Sequence, residues 1–241
     1  DTSLNLSRSN RNRNLRGILQ DLPAARAEVK DLYQRFGGYT DGAASEAIFK
    51  QKAINYRILH LAMHGILDEE NPMLSGLVFT EDGNSKEDNL LFAYEIANLK
   101  LKTELVVLSA CETGVGKFQD GEGMMSLARP FMYAGAPSLV LSLWQVNDAS
   151  TALLMQEFYT NLDKGLNKAS ALQAAKLTYL SSVDNIAAHP AFWAAFIQLG
   201  DNSPISIHNS GTQSYFWVVI GGLVLTFILI ILVFFRTRKR R

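Results

Sequence analysis

Cysteine is almost absent: the chain of 241 residues holds one, Cys111. A single thiol excludes an internal disulfide framework and a zinc ribbon alike, and it is compatible with any redox compartment. Basic stripes interleaved with aromatics are also missing upstream of the C terminus, which argues against nucleic acid as a main partner. Formal net charge is zero, yet five of the 23 bases fall in the last six residues, RTRKRR (Arg236, Arg238, Lys239, Arg240 and Arg241). The rest of the chain carries 18 bases against 23 acids, a mildly acidic body with a basic tail. No apolar leader opens the sequence; residues 1–21, DTSLNLSRSNRNRNLRG and the four that follow, read as a polar loop. No repeat of solenoid period recurs.

Charge is missing altogether from Tyr215 to Phe235, YFWVVIGGLVLTFILIILVFF. A helix of that length is roughly 31 Å long, the thickness of a bilayer's hydrocarbon core. Tyr215, Phe216 and Trp217 at one end and the basic run at the other have the character of interface anchors. The segment is expected to be a single transmembrane helix, with residues 202–214 as a polar linker and 236–241 as a basic tail.

Residues 22–201 carry a globular pattern. PAARAEVKDLYQRFGG predicts a helix that Pro23 starts and Gly37-Gly38 stops. Residues 44–53 predict a second, capped by Ser45. RILHLAM predicts a strand ending at His64-Gly65, and SGLVFTEDG a short strand closed by an Asp-Gly turn. FAYEIANLKL is expected to be helical and to lead into the apolar strand ELVVLSA. A helix at 123–133, the strand SLVLSLW, helices at 149–162 and 168–181, and a last strand within AFWAAFIQLG complete the series. Alternating helices and apolar strands imply an α/β fold, a sheet covered on both faces.

Two of these strands end in reactive residues, His64 followed by Gly65, and Cys111. In open α/β sheets, ligands bind at the carboxyl ends of parallel strands. If the two strands are adjacent and parallel, His64 and Cys111 face one cleft, and an imidazole can take the thiol's proton to make a nucleophile. The amides of Gly65 and Cys111 are then candidate oxyanion donors. A packed cysteine beside a core histidine is the other reading, and the residues alone leave both open.

Other motifs fail on inspection. Cys111-Glu-Thr-Gly-Val-Gly-Lys117 has cysteine where a P-loop needs its first glycine, and Phe118 where it needs Ser or Thr. His60 and His64 are four apart, but Leu61 stands where a zinc protease has Glu, so His60 is expected to be a packed strand histidine. No G-x-S-x-G elbow occurs. Asp148 in NDAST is expected to cap a helix, with a substrate contact as the alternative. No metal or cofactor is expected.

Four separated blocks, RILHLAMHG, LVVLSACETGVG, GEGMMSLARPFMYAGAPSLVLSLWQVNDAST and PAFWAAFIQLGD, resemble in order and spacing a CHAT domain of the caspase-like cysteine peptidases. The resemblance covers about Leu22 to Asp201. It implies a caspase-like, mostly parallel sheet in a three-layer sandwich, with His64 as general base, Cys111 as nucleophile and Gly65 in the oxyanion hole. Their separation is near the spacing of about 50 residues known for caspase sequences. Trp144 would fall near the substrate groove, or else pack in the core; Glu112 and Asp148 are further groove candidates. A protein or peptide is the implied substrate. Tetratricopeptide repeats, or a partner protein, are expected upstream, and the family's first sheet strand is expected before residue 1. A membrane-anchored cysteine endopeptidase in bacterial signalling is the expected activity, and a non-catalytic signalling or interaction domain the alternative. The basic tail is expected in the cytoplasm and the peptidase domain outside it; a tail-anchored protein with a cytoplasmic domain is the other topology.

Overall fold

The computed structural model describes residues 23–40, 43–68, 70–81, 87–109, 111–112, 125–144 and 146–205. Helix α1 (Pro23–Phe36) opens on proline, whose missing N–H costs nothing in a first turn. It stops where Gly37, at φ 73°, lets its amide reach the Tyr33 carbonyl at 2.8 Å. Helix α2 (Glu46–Lys52) is capped by Ser45, whose hydroxyl accepts from the Ile48 amide at 3.4 Å, as expected.

Strand β1 (Ile58–Leu61) follows, then β2 (His64–Ile66), β3 (Gly76–Val78) and β4 (Leu90–Phe92). Helix α3 (Ala93–Ala97), β5 (Leu105–Leu108), β6 (Cys111–Glu112), α4 (Met125–Tyr133) and β7 (Ser138–Ser142) come next. The series ends with α5 (Asp148–Asp163), α6 (Lys168–Ser182) and β8 (Phe196–Gly200). The main sheet has the order β1-β5-β7-β8, its first three strands parallel and β8 antiparallel to β7. Every residue of β5 and β7 is buried, which is why both read as continuous apolar runs rather than alternating ones.

Helices cover both faces. Leu59, Leu61, Val106, Leu108, Leu139 and Leu141 form one cluster with Ile96 of α3 and Leu127 and Phe131 of α4. His60, on the opposite face by strand alternation, meets Glu28 of α1 and Tyr159 of α5. The fold is mixed α/β around a mostly parallel sheet. Each fully buried leucine here contributes about 2 kcal/mol through surface removed from water.

A second, smaller sheet has the order β4-β3-β2-β6. Its β3 and β4 are antiparallel, and the strand Leu90–Phe92 has no counterpart in the sequence pattern, which predicts helix from Phe92 onward. The helix expected over FAYEIANLKL shortens to Ala93–Ala97: Phe92 is drawn into the ladder beside Gly76–Val78, and at the other end the Leu101 amide donates to the Ala134 carbonyl at 2.8 Å. A further correction concerns α5. Its cap is Asn147, whose side chain accepts from the amides of Ala149 and Ser150 at 3.1 and 3.3 Å. Asp148 therefore sits inside the first turn, where a negative charge meets the helix dipole favourably.

Packing continues beyond Asp201 into the expected linker: Ile205 is buried, and the Asn202 side chain accepts from the Ala169 amide at 2.7 Å. Among the described residues, no helix is long and apolar enough to cross a membrane. The expected span at 215–235 and tail at 236–241 lie outside those residues, as do the loop at 1–21 and the Asp82-Gly83 turn.

Candidate active site

Strands β1 and β5 pair in parallel with Ile58 opposite Leu105 and Leu61 opposite Leu108. Both chains then leave the main sheet, cross two residues, and pair again as β2 and β6 with His64 opposite Cys111 and Gly65 opposite Glu112. The offset is the same 47 residues in both ladders, so one register carries across the gap. Neighbouring strands lie about 4.8 Å apart. The structure thus brings the backbones of the expected pair to adjacent positions. It also changes the local picture: His64 and Cys111 each open a short strand of the second sheet, and RILHLAM does not simply stop at His64.

For Cys111 and Glu112 the backbone alone is described. His64 is half-buried and Gly65 buried. Strand β2 is flanked on one side by β3, where His64 opposes Val78, and on the other by β6. The His64 position is thereby held by a sheet on both sides.

Trp144 lies two residues past β7, at the same carboxyl end of the sheet, because β7 runs parallel to β5. Its indole Nε1 donates to the Ala191 carbonyl at 3.1 Å, tying this loop to the short helical turn Pro190–Phe192. It is half-buried, so it is not a sealed core residue. Asp148 is half-buried in the first turn of α5.

Two clusters escaped the sequence reading. In the first, Lys50 Nζ lies 2.6 Å from Glu46 Oε1, 2.8 Å from Glu87 Oε2 and 3.2 Å from Glu95 Oε1. Burial opposes the Lys50 ammonium, yet the hydrogen bonds to Glu46 and Glu87 outweigh it and hold its pKa above the usual lysine value. Burial likewise pushes the Glu46 carboxyl up, partly countered by Lys50. The carboxylate oxygens of Glu46, Glu87 and Glu95 lie within 4.8 Å of one another, but the Lys50 ammonium supplies the positive charge at their centre. The (i, i+4) spacing of Glu46 and Lys50 was the one legible sign.

In the second cluster, His60 Nδ1 is 3.0 Å from the Tyr159 hydroxyl. Its Nε2 is 2.9 Å from Glu28 Oε1 and 3.3 Å from Ser109 Oγ. His60 is a packed strand histidine, as expected, but it is packed among polar groups. Burial, with the charge of Glu28, pushes the Tyr159 hydroxyl well above the ordinary tyrosine value, so it stays a neutral O–H group.

A family model described as "CHAT domain" matches residues 4–201. Among curated proteins, "Tetratricopeptide repeat protein 28" of Mus musculus is 34% identical over 122 residues, 49% of this chain and 5% of that protein. Its Homo sapiens counterpart is 34% identical over 125 residues, 50% of this chain and 5% of that protein. The match therefore spans only about a twentieth of the length of these relatives.

Proposed function

The chain belongs to the CHAT domain family, a caspase-like family, and from that premise we propose that it is a cysteine endopeptidase working through His64 and Cys111. The observation that carries the reading is the direct pairing of His64 with Cys111 as the first residues of the adjacent parallel strands β2 and β6. Positions in register across a ladder share a face, so an imidazole and a thiol held there can exchange a proton.

On this reading His64 takes the Cys111 proton, and the thiolate attacks the carbonyl carbon of a peptide bond. The amides of Gly65 and Cys111 donate to the oxyanion that forms. As the C–N bond breaks, the His64 imidazolium gives its proton to the departing amine, leaving a thioester on Cys111. Water, deprotonated by His64, then attacks the thioester; the acid leaves and the thiol is restored. Trp144, Glu112 and Asp148, around the same end of the sheet, are the proposed contacts to the substrate chain.

The protein substrate is presented, on this reading, by tetratricopeptide repeats upstream or by a partner protein, a proposal supported by the repeat named in both curated relatives. Residues 215–235 anchor the enzyme in a membrane as a single span. The bases of RTRKRR hold the tail in the cytoplasm and place the domain on the far side, since translocating five cations is unfavourable. Protease added to intact spheroplasts should digest the domain; complete protection would refute this topology. Cleavage of a co-expressed protein substrate, read by the new N terminus it creates, should vanish in Cys111→Ala. Retained cleavage in that variant would end the proposal.

A second reading is a non-catalytic interaction domain, favoured by relatives whose names describe repeats and no enzymatic activity. It predicts no His64-dependent reactivity at Cys111.

A further inference from the structure

Glu28, His60, Ser109 and Tyr159 come from α1, β1, the residue just past β5, and α5, and they meet in the interior. Glu28 is 4% exposed, Ser109 6% and Tyr159 2%. A buried carboxylate is costly unless a donor or a positive charge faces it. Here His60 faces Glu28 at 2.9 Å. The Tyr159 hydroxyl, kept protonated by its burial, faces the other ring nitrogen at 3.0 Å. The rings of His60 and Tyr159 also pack, with centroids 5.6 Å apart. A histidine needed only to fill space would not be held by polar groups from three other elements.

The placement of this network along the two strands gives it a consequence. The parallel ladder is interrupted between the pairs Leu61–Leu108 and His64–Cys111. Across that interval the Ser109 hydroxyl reaches back to His60 Nε2 at 3.3 Å. His60 lies four residues before His64, and Ser109 two residues before Cys111. We infer that His60 is a positioning residue: through Ser109 it fixes where the Cys111 strand resumes against the His64 strand, with the Tyr159 hydroxyl holding the imidazole's orientation and the Glu28 carboxylate lying beside its Nε2. The inference rests on the His64–Cys111 reading and adds the groups that set its geometry. Among the described residues, the polar and titratable groups that face His60 are Glu28, Ser109 and Tyr159.

Because Cys111 is the sole cysteine, alkylation by iodoacetamide reports on it alone, and its rate against pH follows the thiolate. The wild-type protein, over its full chain, should show a midpoint below that of a free thiol, about 8.5, and His64→Ala should restore the ordinary value. Ser109→Ala deletes only one hydroxyl and should leave the melting transition cooperative. It and His60→Gln should each move the midpoint toward the free-thiol value, and alkylation at pH 6 slows about tenfold for every pH unit by which the midpoint rises. Tyr159→Phe should do so to a smaller degree, since it removes one hydrogen bond and keeps the ring. Wild-type activation with an unchanged profile in folded Ser109→Ala and His60→Gln overturns the positioning role and leaves the dyad standing. A wild-type midpoint already at the free-thiol value overturns the dyad, and the positioning role with it.

Discussion

His64 stands opposite Cys111 in the pairing of β2 with β6, at the same offset that sets Ile58 against Leu105 in the main sheet. A rigid, doubly covered sheet therefore delivers both residues to neighbouring positions, three residues after its strands β1 and β5 end. Proximity of this kind is what a proton exchange between two side chains requires, and it comes from strand register rather than from a flexible loop.

The sheet that carries this register should be sensitive to cavities. Leu108 is wholly buried, on the face packed by α3 and α4, and is the last residue of β5 before the site. Leu108→Ala should cost about 2–5 kcal/mol, read as a lower urea midpoint with an unchanged slope. A loss under about 1 kcal/mol would mean the core closes over the gap, against the close packing described.

Gly200 offers a sharper backbone test. It adopts φ 79°, and a Cβ there would come within 2.2 Å of the Pro137 carbonyl oxygen. Gly165 has φ 84° with nothing within 4 Å of a Cβ. Gly165→Ala should cost only the left-handed strain of about 1–2 kcal/mol, and Gly200→Ala clearly more, since β8 and the chain before β7 must part. Equal melting temperatures for the two variants would contradict this.

Lys50 joins α2 to the segment leading into β4 and to α3 through Glu46, Glu87 and Glu95. Lys50→Met leaves the buried Glu46 carboxylate without its counter-charge and should cost about 3 kcal/mol. Adding Glu46→Gln should recover part of that loss. Chemical denaturation of the single and double variants decides it, and additive losses would refute the coupling.

Stability in acid should depend on Asp201. Hydrogen bonds from Ser203 and then from Lys168 hold its carboxyl below the usual aspartate value. A carboxyl depressed by folding contributes stability that is fully present above its unfolded pKa of about 3.9. That contribution is lost as pH falls through the lower folded value. Asp201→Asn should therefore flatten the decline in melting temperature between about pH 4 and pH 2. An unchanged slope would remove Asp201 from the acid response.

Much of the fold was legible because it rests on local pattern. The short, β-branched, unbroken apolar runs of β5 and β7 read as buried strands, and Pro23, Ser45 and Gly37 marked helix ends by chemistry that acts within four residues. A shared cleft for His64 and Cys111 was conditional on adjacent, parallel strands, and β1 with β5 and β2 with β6 are indeed adjacent and parallel. What stayed hidden was set by distant partners. Leu90–Phe92 is a strand only because Gly76–Val78 lies beside it. Asn147 rather than Asp148 caps α5, a one-residue choice between two good caps. The groups that face His60 are Glu28 on α1, Ser109, 49 residues away, and Tyr159, 99 residues away, so no periodicity could announce them.

The most direct test of the central claim is covalent labelling of Cys111 by an electrophilic peptide ketone at neutral pH, compared between the wild-type protein and His64→Ala. The account predicts rapid, saturable labelling in the wild type and a loss of at least about a hundredfold without the imidazole, the typical contribution of a general base. Equal labelling of the two proteins would contradict an activated His64–Cys111 pair.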